Sequence, residues 1–287
     1  MKNRISLFTI IVVAIAFSSC NPIEDRKEMT GSTTMAKIDQ YVSVTQETRE
    51  GFKSNYINLL SDGLDALSAW DYGSGSFYGT KGRVQLVLPG ENTITFTALN
   101  ADGTQLTKQF TVIVDSCFDV PPQWAMLCGD GSKVWTWDPG LGEQAYGMGD
   151  ALWSSAGDWW APGLAGEAEG IGATMTFSVR GSAFTKTLTD GSSVNGTFSF
   201  NMDNVAPNYS RSTGELSTSI PVLMGQTTGA ATGNGASGKD VTVYEIIKLD
   251  DDNLQLSWLE KDGDGKPIDY DSQGWGQGTL WIFTPAE

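Results

Sequence analysis

The sequence contains no histidine. Ser-His-Asp and Cys-His nucleophile systems, and zinc held by imidazole, are therefore excluded. Positive charge is scarce: 18 basic residues stand against 34 acidic ones, a formal charge of −16. A surface of that sign repels nucleic acid and anionic lipid, so neither is expected as a partner. Cysteine occurs only three times. Long apolar runs are missing as well. The longest, Ile5 to Phe17, covers 13 residues, where a spanning helix needs about 20. What the chain has in quantity is glycine, 34 residues among many Thr and Ser. That mixture predicts short strands and tight turns, an all-β protein.

Residues 1–20 read as a targeting segment. Lys2 and Arg4 precede the apolar run, which ends at Phe17-Ser18-Ser19-Cys20. This segment resembles a bacterial lipoprotein signal peptide, with Phe17 where that family usually has Leu. The resemblance implies lipidation at Cys20 and attachment to a membrane through acyl chains alone. The chain after the leader then carries 16 basic and 34 acidic residues, a balance of −18. Cys117 and Cys128 remain, an even pair in an oxidising compartment, and a disulfide between them is expected, with two free thiols as the alternative. Residues 21–36 are polar and without periodicity, a flexible tether.

Residues 37–115 read as one small β domain. Tyr41–Val44, Val84–Leu88, Thr93–Leu99 and Phe110–Val114 alternate or are β-branched, and Asn100-Ala-Asp-Gly103 is a hairpin turn by composition. Trp70-Asp71-Tyr72-Gly73-Ser74-Gly75, followed by Pro89-Gly90 and the strand at Phe110, resembles the polycystic-kidney-disease (PKD) type of Ig-like domain. In that family the residue before the last Gly is Asp, which is Ser74 here. The resemblance implies a seven-stranded sandwich acting as a spacer, with Trp70 in its core.

Residues 116–287 read as a larger β domain. Strands are expected at 134–138, 173–179, 184–188, 196–202, 215–220, 241–248, 254–259 and 278–283. In Leu254-Gln-Leu-Ser-Trp258 every second residue is apolar, so Leu254, Leu256 and Trp258 face inward. Trp281 and Phe283 share a face by the same count, and Trp135 and Trp137 are likewise assigned to the core. Five of the ten tryptophans fall between Trp135 and Trp160. Apart from Leu152, the residues around Trp153, Trp159 and Trp160 are small or polar and offer little local cover for an indole. Trp275 lies between two glycines. These four rings are candidates for stacking on the apolar face of a sugar, with Asp158 and Glu167 accepting from its hydroxyls. The competing reading is that the rings fold back as core plugs.

Glu167-Ala-Glu169 is the one carboxylate pair with glycosidase-like spacing. The jelly-roll β-glucanase pattern has a further Glu where this chain has Gly172, so no catalytic residue is assigned and glycoside hydrolysis stays as an alternative. Asp262-Gly-Asp-Gly265 lacks the ligands of a calcium loop, and neither a metal nor a cofactor is expected.

The order Gly131-Ser-Lys-Val-Trp135-Thr-Trp-Asp138, Trp159-Trp160-Ala-Pro162, Tyr244-Glu-Ile-Ile-Lys-Leu-Asp250 and Trp281-Ile-Phe283 resembles the C-terminal modules of Bacteroidetes-type surface glycan-binding lipoproteins. It implies a non-catalytic protein on the outer membrane, facing the cell surface, holding polysaccharide beside a glycan transporter complex. The expected fold of the C-terminal domain is a β-sandwich or jelly-roll. The Ile246, Leu249, Leu254 spacing also resembles lipocalin-like lipoproteins, which would make it a barrel.

Overall fold

The structure is a computed structural model describing residues 32–159, 161, 171–223, 241–259 and 268–286. Cys20, Trp160, Glu167, Glu169 and the 262–265 turn lie outside the described residues. The protein is all-β. Among the described residues no helix is long and apolar enough to cross a membrane.

The N-terminal part begins earlier than the expected tether boundary. Thr33 is buried, and its N–H donates to Asn100 Oδ1 at 2.9 Å. Thr34 then caps helix α1, Met35–Tyr41. Seven strands follow in two sheets. One sheet joins β1 (Ser43–Arg49), β2 (Phe52–Leu60) and β5 (Lys81–Gln85). The other joins β3 (Leu67–Asp71), β4 (Ser76–Tyr78), β6 (Gly90–Leu99) and β7 (Gln105–Val114). Their apolar faces share one core that includes Ile38, Ile57, Trp70, Ile94 and Phe96. Trp70 sits in it as expected, 4.6 Å from Phe96 between ring centroids. The aromatic-Gly segment after Trp70 makes the β3–β4 turn. Asp71 Oδ1 accepts from Gly73 N–H and Tyr72 N–H donates to Gly75 O.

The C-terminal part is a closed barrel, which corrects the expected sandwich or jelly-roll. Its strands are β8 (Ser132–Trp137), β10 (Thr174–Ser178), β11 (Ala183–Thr187), β12 (Ser193–Asn201), β13 (Gly214–Thr218), β14 (Val243–Leu249), β15 (Leu254–Leu259) and β16 (Gln277–Pro285). From β10 to β16 each strand pairs antiparallel with the next, and β16 pairs back to β8. A jelly-roll needs strands that cross between two sheets. Here successive strands are hydrogen-bonded neighbours, and closure onto β8 removes the free edges. Alternation places one face of each strand inside. Trp135, Trp137, Phe177, Phe184, Leu216, Tyr244, Leu256, Trp281 and Phe283 form a single buried cluster.

One barrel strand is interrupted. β9 (Tyr146–Asp150) takes over from β8 as the neighbour of β16. Phe283–Pro285 pair with β8 and Gln277–Trp281 with β9, while Ile282 O between them accepts from Asp138 N–H at 3.1 Å. The chain leaves the wall at 138–145 and returns to it. Strand β16 is buried on both faces, because Leu280 and Ile282 on its outer side pack under Leu141 and Ala156.

Strand direction gives the barrel two distinct ends. At one, helix α2 (Gln123–Cys128) enters as a plug, with Trp135 Nε1 donating to Leu127 O at 2.9 Å. The N-terminal part meets the barrel at this end, where Gly181 N–H donates to Gly73 O at 2.7 Å. Cys128 is buried in the barrel cluster, while Cys117 packs at the edge of the N-terminal core. Both are free thiols. The expected disulfide is not formed, because each cysteine is drawn into a different core. Burial pushes the Cys128 thiol up to about 12.

Candidate functional site

The other end of the barrel carries the exposed indoles. Strand β9 finishes there at Asp150, which is buried although charged. Its Oδ1 accepts from the N–H groups of Leu152 at 2.9 Å and Trp153 at 3.2 Å, an Asx turn that reverses the chain. Ser154 fastens the turn: its Oγ accepts from Asp150 N–H and donates to Asp158 Oδ1, both at 2.7 Å. The chain then runs back along the free edge of β9. Gly157 N–H donates to Gln144 O and Trp159 N–H to Met148 O, at 2.9 and 3.0 Å. The approach is so close that a Cβ on Gly157 would lie 2.6 Å from Gly147 Cα. Glycine is required there by space.

A second loop meets this one from the start of β16. Helix α3, Tyr270–Gln273, stops at Gly274 in the left-handed region, φ 73°, which leaves Trp275 outside the helix. Two hydrogen bonds tie the loops together: Ala151 N–H to Gly276 O at 2.6 Å, and Trp153 Nε1 to Gly274 O at 2.9 Å. Beneath them Tyr270 is fully buried, and its hydroxyl donates to Gln277 O. A third segment supports the first. Arg211 Nη1 donates to the carbonyls of Ala151 and Ser154, at 3.0 and 2.7 Å. Tyr209 OH also donates to Ala151 O.

On this framework Trp153, Trp275 and Trp159 are 75%, 59% and 49% exposed. Trp153 and Trp275 flank the same residue, Gly274. Trp159 is bonded to Met148, which pairs with Thr279, two positions along β16 from Gln277. That step is about 7 Å along the strand. The three rings thus ride on one rim. Gln277 opens β16 opposite Asp150, its amide 3.5 Å from Met148 Sδ. The rings are held out by hydrogen bonds to the backbone around them, and the core-plug reading does not hold for these three. Asp158 is exposed beside Trp159, but one of its oxygens is committed to Ser154. Trp160 and Glu167 fall outside the described residues.

Two features were missed from sequence. Lys186 is fully buried inside the barrel, its ammonium 5.1 Å from the Trp137 ring centroid. The period of two carried that signal, since Phe184 points inward and Lys186 follows it by two. Among the described residues, the indole N–H groups of Trp137 and Trp281 are buried without a hydrogen-bond partner. Each such donor costs about 1–3 kcal/mol.

The Glu215 and Glu245 side chains lie directly across from each other on β13 and β14. Burial raises the Glu245 carboxyl above its ordinary value. The Ser212 hydroxyl, donating at 2.6 Å, opposes the shift, and the Glu215 charge adds to it. This pair holds the 204–212 segment through Ser212 and Asn204. It serves the rim as a foundation. Among the described residues no group of three or more Asp, Glu, Cys or His side chains could hold a metal.

No protein-family model matches the chain, and a search of curated proteins finds no match.

Proposed function

We propose that this protein is a non-catalytic glycan-binding lipoprotein that captures a neutral polysaccharide at the barrel rim carrying the exposed indoles. The observation that carries this reading is the set of three exposed indoles on one rim, fixed by hydrogen bonds that leave their faces in solvent. A flat ring without an apolar neighbour gains nothing for the fold, whereas it can cover the C–H face of a pyranose. Asp158, Gln277 and the loop backbone supply polar groups beside the rings. The strong acidic balance favours a neutral polymer over an anionic one. The N-terminal part, read as a PKD-like Ig-fold spacer, stands between the barrel and a lipid anchor at Cys20 on the outer membrane. A glycan transporter complex beside it would take up the captured polymer. Binding at one shallow rim is weak, and many tethered copies raise avidity.

The test is affinity electrophoresis of the soluble mature chain, Cys20→Ser, through gels containing neutral β-glucan, mannan or xylan. Retardation by one polymer is expected, and its loss in a Trp153→Ala/Trp159→Ala/Trp275→Ala variant. Unchanged mobility in every gel sinks the reading.

The closed barrel with two unpartnered indole donors inside supports a second reading, a lipocalin-like carrier of one small molecule. Native mass spectrometry of the chain as purified separates the two. A bound small molecule together with no polymer retardation favours the carrier.

A further inference from the structure

At the plugged end of the barrel, a cleft of about 450 Å³ opens between the N-terminal part and the barrel. That size falls within the range of small-molecule sites, which favour boundaries between domains. One wall is aromatic. Trp124 of helix α2 meets Phe200 edge-on at 4.9 Å and Phe198 at 5.9 Å, and all three line the cleft. Trp124 is only half-buried. Its indole N–H meets no acceptor among the described residues. The facing wall is polar: Asp71, Ser74 and Ser76 from the β3–β4 turn, with Ser182 beside them from the barrel. Asp71 uses Oδ1 to hold Gly73 N–H. Its Oδ2 makes no bond among the described residues. The walls are joined by the Gly181-to-Gly73 hydrogen bond and by Arg180 donating to Glu91 O at 3.2 Å.

We infer that this cleft is a second binding site, and that its ligand is a short neutral oligosaccharide or one end of a chain. The chemistry narrows the class. An apolar ligand would leave a wall of hydroxyls and a carboxylate unsatisfied. An anion would face Asp71, while Arg180 is turned to the Glu91 carbonyl. A sugar ring offers a C–H face to Trp124 and hydroxyls to the serines and Asp71. The inference goes beyond the rim reading and stands without it, because the two sites lie at opposite ends of the barrel and share no residue.

The experiment uses the mature chain, Cys20→Ser, labelled with ¹⁵N at its tryptophan side chains. The probes are cellotriose, laminaritriose, mannotriose and xylotriose. At least one should move the Trp124 indole signal, assigned through Trp124→Phe, in wild type and in the rim triple variant alike. Ser76 is an exposed position on β4 paired with Asp71 at the cleft, so Ser76→Trp fills the cleft without disturbing either core. It should weaken that probe about tenfold or more, the scale of one lost ring contact. No movement of the Trp124 signal with any probe overturns the inference, as does a Ser76→Trp protein that binds normally. A Trp124 response that persists while the rim variant keeps full polymer retardation upholds the cleft and overturns the rim.

Discussion

Trp135 and Trp153 make the same hydrogen bond and meet opposite fates. Each donates its indole N–H to a backbone carbonyl at 2.9 Å, Trp135 to Leu127 and Trp153 to Gly274. Trp135 is 0% exposed and Trp153 is 75% exposed. The polar end of the indole is satisfied in both places, so it cannot be what sorts them. The surroundings of the ring do. Trp135 sits on a strand whose alternate neighbour is Trp137, with Met175 opposite it on β10. Trp153 follows an Asx turn among Ala, Ser and Gly. At the plugged end the hydrogen bond seats a ring in the core. At the opposite end it holds a ring in water, an arrangement with little to offer stability.

That contrast can be broken first by removing the rings. Trp135→Ala should destabilise the protein by about 3–5 kcal/mol, read as a shift of the urea midpoint at unchanged slope. A loss as small as that of a surface change would mean the barrel collapses around the gap. The framework of the rim that carries Trp153 comes next. A Cβ on Gly276 would lie 2.3 Å from the buried Tyr270 ring. Gly276→Ala should therefore cost about 1–3 kcal/mol by overpacking and reduce polymer retardation through a displaced loop. Retardation that survives the substitution would show that the loop's position is not critical.

The third change sharpens the comparison at its exposed partner. Trp153→Ala should alter stability by no more than about 1 kcal/mol while weakening polymer binding roughly five- to tenfold. Trp153→Phe keeps a ring without the N–H and should fall between. Should Trp153→Ala unfold as readily as Trp135→Ala, the two indoles are alike after all.

The smallest effect lies beneath the rim, at Glu245. Its folded value is raised, so its contribution to stability is full below the unfolded value of about 4.3 and is lost as pH rises through the folded value. Glu245→Gln removes that slope. Urea midpoints across mildly acid to neutral pH should decline more in wild type than in the variant. Parallel curves would mean that the carboxyl is as well solvated as in the unfolded chain.

Much of this fold was legible from periodicity. The expected strand at 254–259 is β15, Leu254–Leu259, and the other seven expected strands of the C-terminal part coincide with barrel strands to within a few residues. Strand β9 was missed because Tyr146-Gly-Met-Gly-Asp150 alternates with glycine and shows no apolar repeat. The choice between sandwich and barrel was not legible. Both architectures impose the same inward-outward alternation, and closure depends on β16 finding β8 across the domain. The pairing of Cys117 with Cys128 failed for a related reason: nearness in sequence says nothing about which core each thiol joins. The exposed rings were legible at Trp153, Trp159 and Trp275, where small and polar neighbours left nothing to cover them. The cleft at Trp124 was not, since its two walls come from parts of the chain that meet only after folding.

The interruption between β8 and β9 separates inheritance from novelty. Strand β16 finds hydrogen-bonding partners along its length, whether or not the chain wanders at 138–145. Apart from Asp138, Leu141 and Gln144, which bond Ile282, cover β16 and hold Gly157, that excursion can change composition while the ladder on β16 stays whole. The segment that places Trp153 and Trp159 lies just downstream, held to β9, to the loop before β16 and to Arg211. A lineage could therefore redraw its recognition surface here, ring by ring, without renegotiating the barrel underneath.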